Sequence, residues 1–175
     1  METCITAELL AEIKSQYYLK WYGTHGVIHW SRVYENGMYL AQQEDVNNRI
    51  VQLFSVFHDA CRKNEHNDRN HGKRGAELAL KLRDFYSLDD EELLLLTTAC
   101  SLHTSTLNHE NITVQACFDS DRLDLGRVNN MPDSGLLCTE TAKMDETIKW
   151  AYARSGVHEL PKKPFGLSDT NVPIE

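Results

Sequence analysis

The sequence has no run of apolar residues long enough to cross a bilayer. Its longest, Leu93 to Leu96, covers four positions where about 20 are needed. Paired cysteines are missing as well: Cys4, Cys61, Cys100, Cys117 and Cys138 make an odd set with no CxxC spacing. That excludes a disulfide framework and fits reduced, mostly buried thiols in a reducing compartment. Glu2, Glu8 and Glu12 interrupt the start, so no basic and then apolar leader opens the chain. The expected location is therefore cytoplasmic, away from membranes. Basic charge is in the minority, with 18 Lys and Arg against 26 Asp and Glu, for a net charge of -8. Non-specific DNA or RNA affinity comes mainly from cations that neutralise phosphates, so that role is not expected. Alternating Val, Ile and Thr runs are scarce, which argues against a sheet; Asn36-Gly37 sits inside a helical pattern rather than between strands.

What remains is ordinary for a globular chain, at 41% hydrophobic and 25% charged residues over 175 positions. That length buries a real core without disulfides and suits one domain over 1–175, with 155–175 as an irregular tail marked by Pro161, Pro164 and Pro173. Helical periodicity recurs throughout. A first amphipathic helix is expected over 7–22, with Leu10, Ile13, Tyr17 and Trp21 on one side, ended by Gly23 and Gly26. A second is expected over 28–42. A third, over 49–59 with Asn47 or Asn48 as its cap, is apolar nearly all round, as a central buried helix is. A polar loop over 62–70 precedes a helix over 72–86, with Ala76, Ala79, Leu80 and Leu82 as core residues. Ser87-Leu88-Asp89-Asp90 reads as the cap of the Leu93-rich helix. Shorter helices are expected over 111–118 and 122–128, and a last one over 139–153. The expected fold class is all-α, a compact helical bundle.

One dipeptide stands out chemically. His58-Asp59 closes the most apolar helix, and burying an ionised carboxylate costs several kcal/mol unless it is paired or bound to metal. Three further histidines lie near helix starts or turns: His29, His71 before Gly72, and His103 before Thr104. Asp121 sits within Asp119-Ser120-Asp121-Arg122-Leu123-Asp124. A lone histidine is more often a satisfied surface or core residue than a ligand. The order His, His-Asp, His, His, Asp over helical segments is stronger, because each member falls where a helix or turn can face a shared centre. Neutral imidazoles with carboxylates suit borderline divalent ions such as manganese, iron, cobalt, nickel or zinc.

From about residue 26 to 128 the chain resembles the HD superfamily of metal-dependent phosphohydrolases. His29-Trp30-Ser31-Arg32-Val33 is similar to that family's opening His followed by Arg-Val, Phe57-His58-Asp59 to its signature pair, and Asp119-Ser120-Asp121-Arg122-Leu123-Asp124 to its closing acidic motif. In that motif the Asp before the basic residue is the usual ligand, here Asp121, with Asp119 as runner-up. His71-Gly72-Lys73-Arg74-Gly75-Ala76 and Leu102-His103-Thr104 resemble segments of bacterial HD enzymes that cleave diadenosine tetraphosphate. The segment between His58-Asp59 and His71 is shorter and more basic than in that group, and no Gly follows His103-Thr104.

The resemblance implies an HD-domain bundle and one or two divalent ions (manganese, iron, cobalt, nickel, zinc or magnesium). His29, His58, Asp59 and Asp121 would hold the first ion. Asp59 would bridge, and His71 and His103 would hold the second. It also implies hydrolysis of a small phosphorylated substrate, a nucleotide or a related phosphoester or phosphoanhydride. Asp59 is then central to catalysis, with Arg62, Lys63 and Arg122 as the first candidates for cations facing the substrate, ahead of Lys73 and Arg74. The bland alternative for each cation is a solvated or structural ion pair, such as Arg122 with Asp119 or Asp124. His25 and His109 are either neighbours of the site or without a role there, and His66 and His158 fit no slot. Two other readings stay open: a diiron oxygenase with the same ligand set, and a nucleotide-sensing module without catalysis. Self-association is compatible with all three.

Overall fold

The computed structural model describes residues 3–156 and Phe165. Among these, every regular element is helical, and the bundle is built around one segment. That segment is α3, Asn48–Phe57, in which Ile50 through Phe57 are all buried. It is apolar all round because it has neighbours all round: α2 (Val27–Gln43), α4 (His71–Lys81), α5 (Asp90–Leu102) and α6 (Ile112–Arg122) all pack on it. Asn47 is the residue that caps it; its side chain accepts from Arg49 N at 3.0 Å and Ile50 N at 3.4 Å. Such a cap replaces bonds that the first turn cannot make to itself, and is worth about 1 kcal/mol. The start of α5 is fixed by a reciprocal pair, Asp89 with the Glu92 amide and Glu92 with the Asp89 amide.

The departures from the sequence expectation have local causes. Helix α1 spans Ala7–Gln16 and stops well before residue 22, because Tyr17 turns to extended backbone. Its ring then packs edge-on against Trp21 (5.7 Å) and Trp30 (5.2 Å) in an aromatic cluster, beside turns closed at Gly23 and Gly26. Past α4 the chain tightens into a 3-10 turn, Arg83–Phe85. Leu80, expected in the core, is 48% exposed on the outer face of α4. The two helices expected over 111–118 and 122–128 are one unbroken α6 followed by a 3-10 turn, Leu125–Val128. Acidic Asp119 is tolerated in that helix because it bonds outward to the next segment. The last expected helix is two, α7 (Glu140–Lys143) and α8 (Asp145–Ser155), broken where Met144 is extended. His158, Pro161, Pro164 and Pro173 lie outside the described residues. Phe165 is buried, with its ring edge-on to Tyr34 at 6.0 Å.

Two glycines set how closely α4 can approach. A methyl group on Gly75 would strike the Phe57 carbonyl oxygen, and one on Gly72 would strike the Cys100 carbonyl oxygen and crowd the His103 ring. The missing side chains let the first turn of α4 lie directly against the ends of α3 and α5, where the candidate ligands are.

Candidate metal centre

Six of the side chains singled out by the sequence converge at one end of the bundle. His29 projects from the first turn of α2, His58 closes α3, Asp59 follows it, His71 opens α4, His103 closes α5, and Asp121 lies in the last turn of α6. They fall into two triads of mutually close ligand atoms: His29, His58 and Asp121, and Asp59, His71 and His103. All are buried except Asp121, whose side chain is 17% exposed.

Asp59 joins the two triads through its two oxygens. Oδ2 lies 3.7 Å from His29 Nε2 and 3.8 Å from His58 Nε2, while Oδ1 lies 3.1 Å from His71 Nε2 and 4.0 Å from His103 Nε2. Asp121 Oδ1 stands 3.4 Å from His29 Nε2 and 3.9 Å from His58 Nε2. Donors about 2.0–2.2 Å from one shared divalent ion are separated from each other by roughly 3.0–3.6 Å. The spacing therefore suits one ion per triad with Asp59 between them.

Proton positions give an independent test of that fit. His58 closes a helix whose last carbonyls lack intrahelical partners, and its Nδ1 lies 3.1 Å from both Phe54 O and Ser55 O. His103 uses the same device on Cys100 O (2.8 Å), and His71 uses it on Asp68 O (2.5 Å). A carbonyl only accepts, so each Nδ1 carries the proton and each neutral ring presents a lone pair at Nε2. His29 reaches the same state through Asp124 Oδ2, 2.7 Å from its Nδ1. The Nε2 atoms of His29 and His58 then face each other at 3.0 Å, and so do those of His71 and His103. Opposed lone pairs repel, and a cation between them turns that repulsion into coordination. Asp121 Oδ1 is also buried without a hydrogen-bond partner, a costly state for a carboxylate oxygen. The donor set and this orphaned oxygen fit divalent metal.

Titration tendencies agree with ligand roles. Burial pushes the His58 imidazole down to about 3, and lowers His103 as well, so both rings stay neutral. For Asp59 burial works upward, yet the imidazoles of His58, His71 and His29 and the Arg62 guanidinium packed around it outweigh burial and hold the carboxyl well below its ordinary range. Asp121 is likewise ionised: burial is outweighed by His29, Arg127 and His58. His71 is made more basic despite burial, because Asp59 and the Asp68 carbonyl lie against it.

Four supporting residues, Asp124, Arg32, Ser155 and Arg127, have no role at the site in the sequence reading. Asp124 is 1% exposed and joins His29 Nδ1 to Arg32, whose Nε lies 2.6 Å from Oδ1 and Nη2 3.1 Å from Oδ2. Ser155 of α8 also donates to Asp124 Oδ1 at 3.0 Å. Arg127 reaches Asp121 Oδ1 at 3.5 Å and Asp124 Oδ2 at 4.0 Å. A signal for this was present. Arg32 lies three positions after His29, and Asp124 three after Asp121, the spacing that places helical side chains on one face.

The candidate cations part company. Arg62 is 7% exposed and stays at the site, with Nη1 3.3 Å from Asp59 Oδ1 and 3.4 Å from the His71 ring nitrogens. Lys63 is exposed and borders a separate pocket of about 470 Å³ with Gln16, Tyr18 and Arg74, because the turn closed by Arg62 N on Asp59 O swings it away. Arg122 does not face the ligands: its guanidinium donates to Thr106 O (2.7 Å), Leu107 O (2.7 Å) and Leu136 O (2.9 Å). Arg74 is held by Cys61 O and Asp68. Asp119, the runner-up ligand, is turned from the triads and accepts from the Cys138 and Thr139 amides and the Thr139 hydroxyl. His25 is buried beside His29, ring centroids 6.2 Å apart, and bonds Glu65 through Nδ1. His109 is remote and accepts from the Asn111 amide.

No protein-family model matches this sequence, and no curated protein matches it. Among solved structures, the crystal structure of a predicted HD superfamily hydrolase from an uncultured Thermotogales bacterium matches with a TM-score of 0.63 and 24% identity. The match covers 84% of this chain and 85% of that one. The fold is thus the HD-type helical bundle.

Proposed function

We propose that this protein is a metal-dependent phosphohydrolase that uses two divalent ions to cleave a phosphoester or phosphoanhydride of a nucleotide or related compound. The observation that carries it is the pair of triads sharing Asp59, with four imidazole lone pairs and three carboxylate oxygens aimed inward. His29, His58 and Asp121 would hold one ion, His71 and His103 the other, and Asp59 both. When bound, such ions bring the pKa of a water toward neutrality and offset charge on phosphoryl oxygens. The protein's own part is positional. The Nδ1 bonds lock every ring in the tautomer and orientation a ligand needs. Arg62 places a fixed positive charge beside Asp59 and His71, where it can face negative charge developing on the substrate. The likeness to a predicted HD superfamily hydrolase supports the reading at the level of fold.

Metal analysis of the purified protein, then a phosphate-release screen over nucleotides with manganese, iron, cobalt and magnesium, tests the proposal. About two ions per chain and phosphate release under anaerobic conditions are expected. A folded protein that takes up no metal would end it. So would an iron-loaded protein that consumes oxygen and releases no phosphate.

A further inference from the structure

A cavity of about 430 Å³ opens beside the second triad, with Arg62 and His71 on its inner wall. That volume lies within the range of small-molecule sites, roughly 300–1,000 Å³. No Phe, Tyr, Trp or wholly aliphatic side chain lines it; beside the His71 imidazole the remaining wall is His66, Asn67, Asp68, Arg69, Thr104 and Ser105. In a chain of net charge -8 this local surplus of donors is notable. The one carboxylate, Asp68, is already held by Arg74 at 2.5 Å and by the Lys63 amide at 2.8 Å. Arg69 has no ion-pair partner among the described residues and is exposed at the rim. Across from it Thr104 and Ser105 directly follow the ligand His103. Arg62 shapes the near wall by donating to His66 O at 2.8 Å. Such a lining is rich in donors that solvate a compact anion.

We propose that this cavity is a subsite for a second anionic group of the substrate, a phosphate or carboxylate next to the phosphoryl group that reacts. Arg69, Thr104 and Ser105 are its donors. The subsite rests on the hydrolase reading for its orientation, with the reacting group at the triads and the second anion outward. Substrates with one anionic group leave it unfilled.

Calorimetric titration of the full-length, manganese-loaded protein tests this with two non-hydrolysable probes: phosphonoacetate, which carries two anionic groups, and methylphosphonate, which carries one. Phosphonoacetate should bind more tightly. Arg69→Ala should weaken it by about tenfold, the scale of one charge-assisted hydrogen bond, and leave methylphosphonate within about twofold. Arg69→Lys should recover part of the loss, and Thr104→Val should give a smaller loss of the same selectivity. Equal loss for both probes, no loss for either, or no preference in the unaltered protein would overturn the subsite. Turnover of p-nitrophenyl phosphate, followed in the same preparations, separates the two claims. Turnover without probe selectivity sinks the subsite alone. Selective binding without turnover of any phosphorylated compound sinks the hydrolase reading and leaves the anion subsite standing.

Discussion

The two triads use the same kinds of ligand but are fastened differently. His29, His58 and Asp121 come from α2, the end of α3 and α6, and behind them lies a charged network of Asp124, Arg32, Arg127 and Ser155. Main-chain carbonyls steady His71 (Asp68 O) and His103 (Cys100 O), as they do His58 of the first triad. Only His29 bonds a carboxylate through Nδ1, and Asp59 Oδ1 on the second side has a guanidinium 3.3 Å away. An imidazole that donates to a carboxylate is a stronger metal ligand than one that donates to a carbonyl. A fixed cation beside a metal site works the other way, but each triad has one: Arg62 lies 3.3 Å from Asp59 Oδ1 and Arg127 3.5 Å from Asp121 Oδ1. The His29–Asp124 bond therefore makes the difference. On the two-ion proposal the first triad should hold its ion more tightly, and an ion at the second, which opens on the cavity through His71 and Arg62, should exchange with solvent more readily.

The sharpest way to break this asymmetry is to remove the residue both halves share. Asp59→Asn should take both ions below detection in metal analysis and lower phosphate release by about a thousandfold. That is several kcal/mol of transition-state stabilisation at 1.36 kcal/mol per decade. A variant that keeps both metals and full activity would show that Asp59 is not the bridge. Breaking one half at a time comes next. His58→Ala should leave the protein with less than one ion, because the vacated first triad also weakens the hold on Asp59. His103→Ala should leave one ion bound. If the two variants gave equal stoichiometry, the proposed ranking of the triads would be wrong.

Much of this centre was legible in the sequence, and the reasons are local. An aspartate closing an apolar helix demands compensation, so His58-Asp59 announces itself. The grouping of His29, His71, His103 and Asp121 around it followed from helix ends and a family resemblance. The same local logic failed where a side chain's partner lies far along the chain. Arg122 was read beside Asp121 because they are adjacent, but neighbours on a helix point about 100° apart. Arg122 instead ties the loop at Thr106 and Leu107 to Leu136. The bland alternative pairs Arg122 with Asp119 or Asp124. Asp119 Oδ1 does lie 4.0 Å from Arg122 Nη1, but the bonds of Asp124 go to His29 and Arg32, more than ninety positions earlier. The early end of α1 is also a long-range effect, since Tyr17 leaves the helix to pack on Trp30. Leu80 follows the α4 periodicity, yet periodicity alone does not say how wide the buried stripe is.

Asp124 offers a gentler probe of the comparison. Asp124→Asn keeps the shape but weakens the acceptor for His29 Nδ1, and should lower affinity at the first triad by about 10–100-fold. Metal titration should show that loss with the second ion's affinity nearly unchanged. Asp124→Ala should also destabilise the fold by about 3 kcal/mol, because it leaves the partly buried guanidinium of Arg32 without its partner. A denaturant series on both variants separates the two effects: only the Ala variant should lose substantial stability. Equal loss of both ions in the Asn variant would mean that the triads are not fastened independently.

The smallest expected effect acts on the second triad without replacing one of its candidate ligands. Gly72 lets α4 rest on the end of α5, and an added methyl group there meets the Cys100 carbonyl oxygen, the acceptor for His103 Nδ1. Gly72→Ala must therefore push α4 and α5 apart by a fraction of an ångström, at a cost of about 1–3 kcal/mol for overpacking. Better helix propensity returns only about 1 kcal/mol of that. The displacement falls across the His71 and His103 pair, whose Nε2 atoms stand 3.0 Å apart, and leaves His29 and His58 on the far side of Asp59 undisturbed. Titrating metal into this variant should show a weaker second ion and an unchanged first one. If both ions weakened together, the close packing at Gly72 would be supporting the whole bundle end, and the two halves would have to be treated as one mechanical unit.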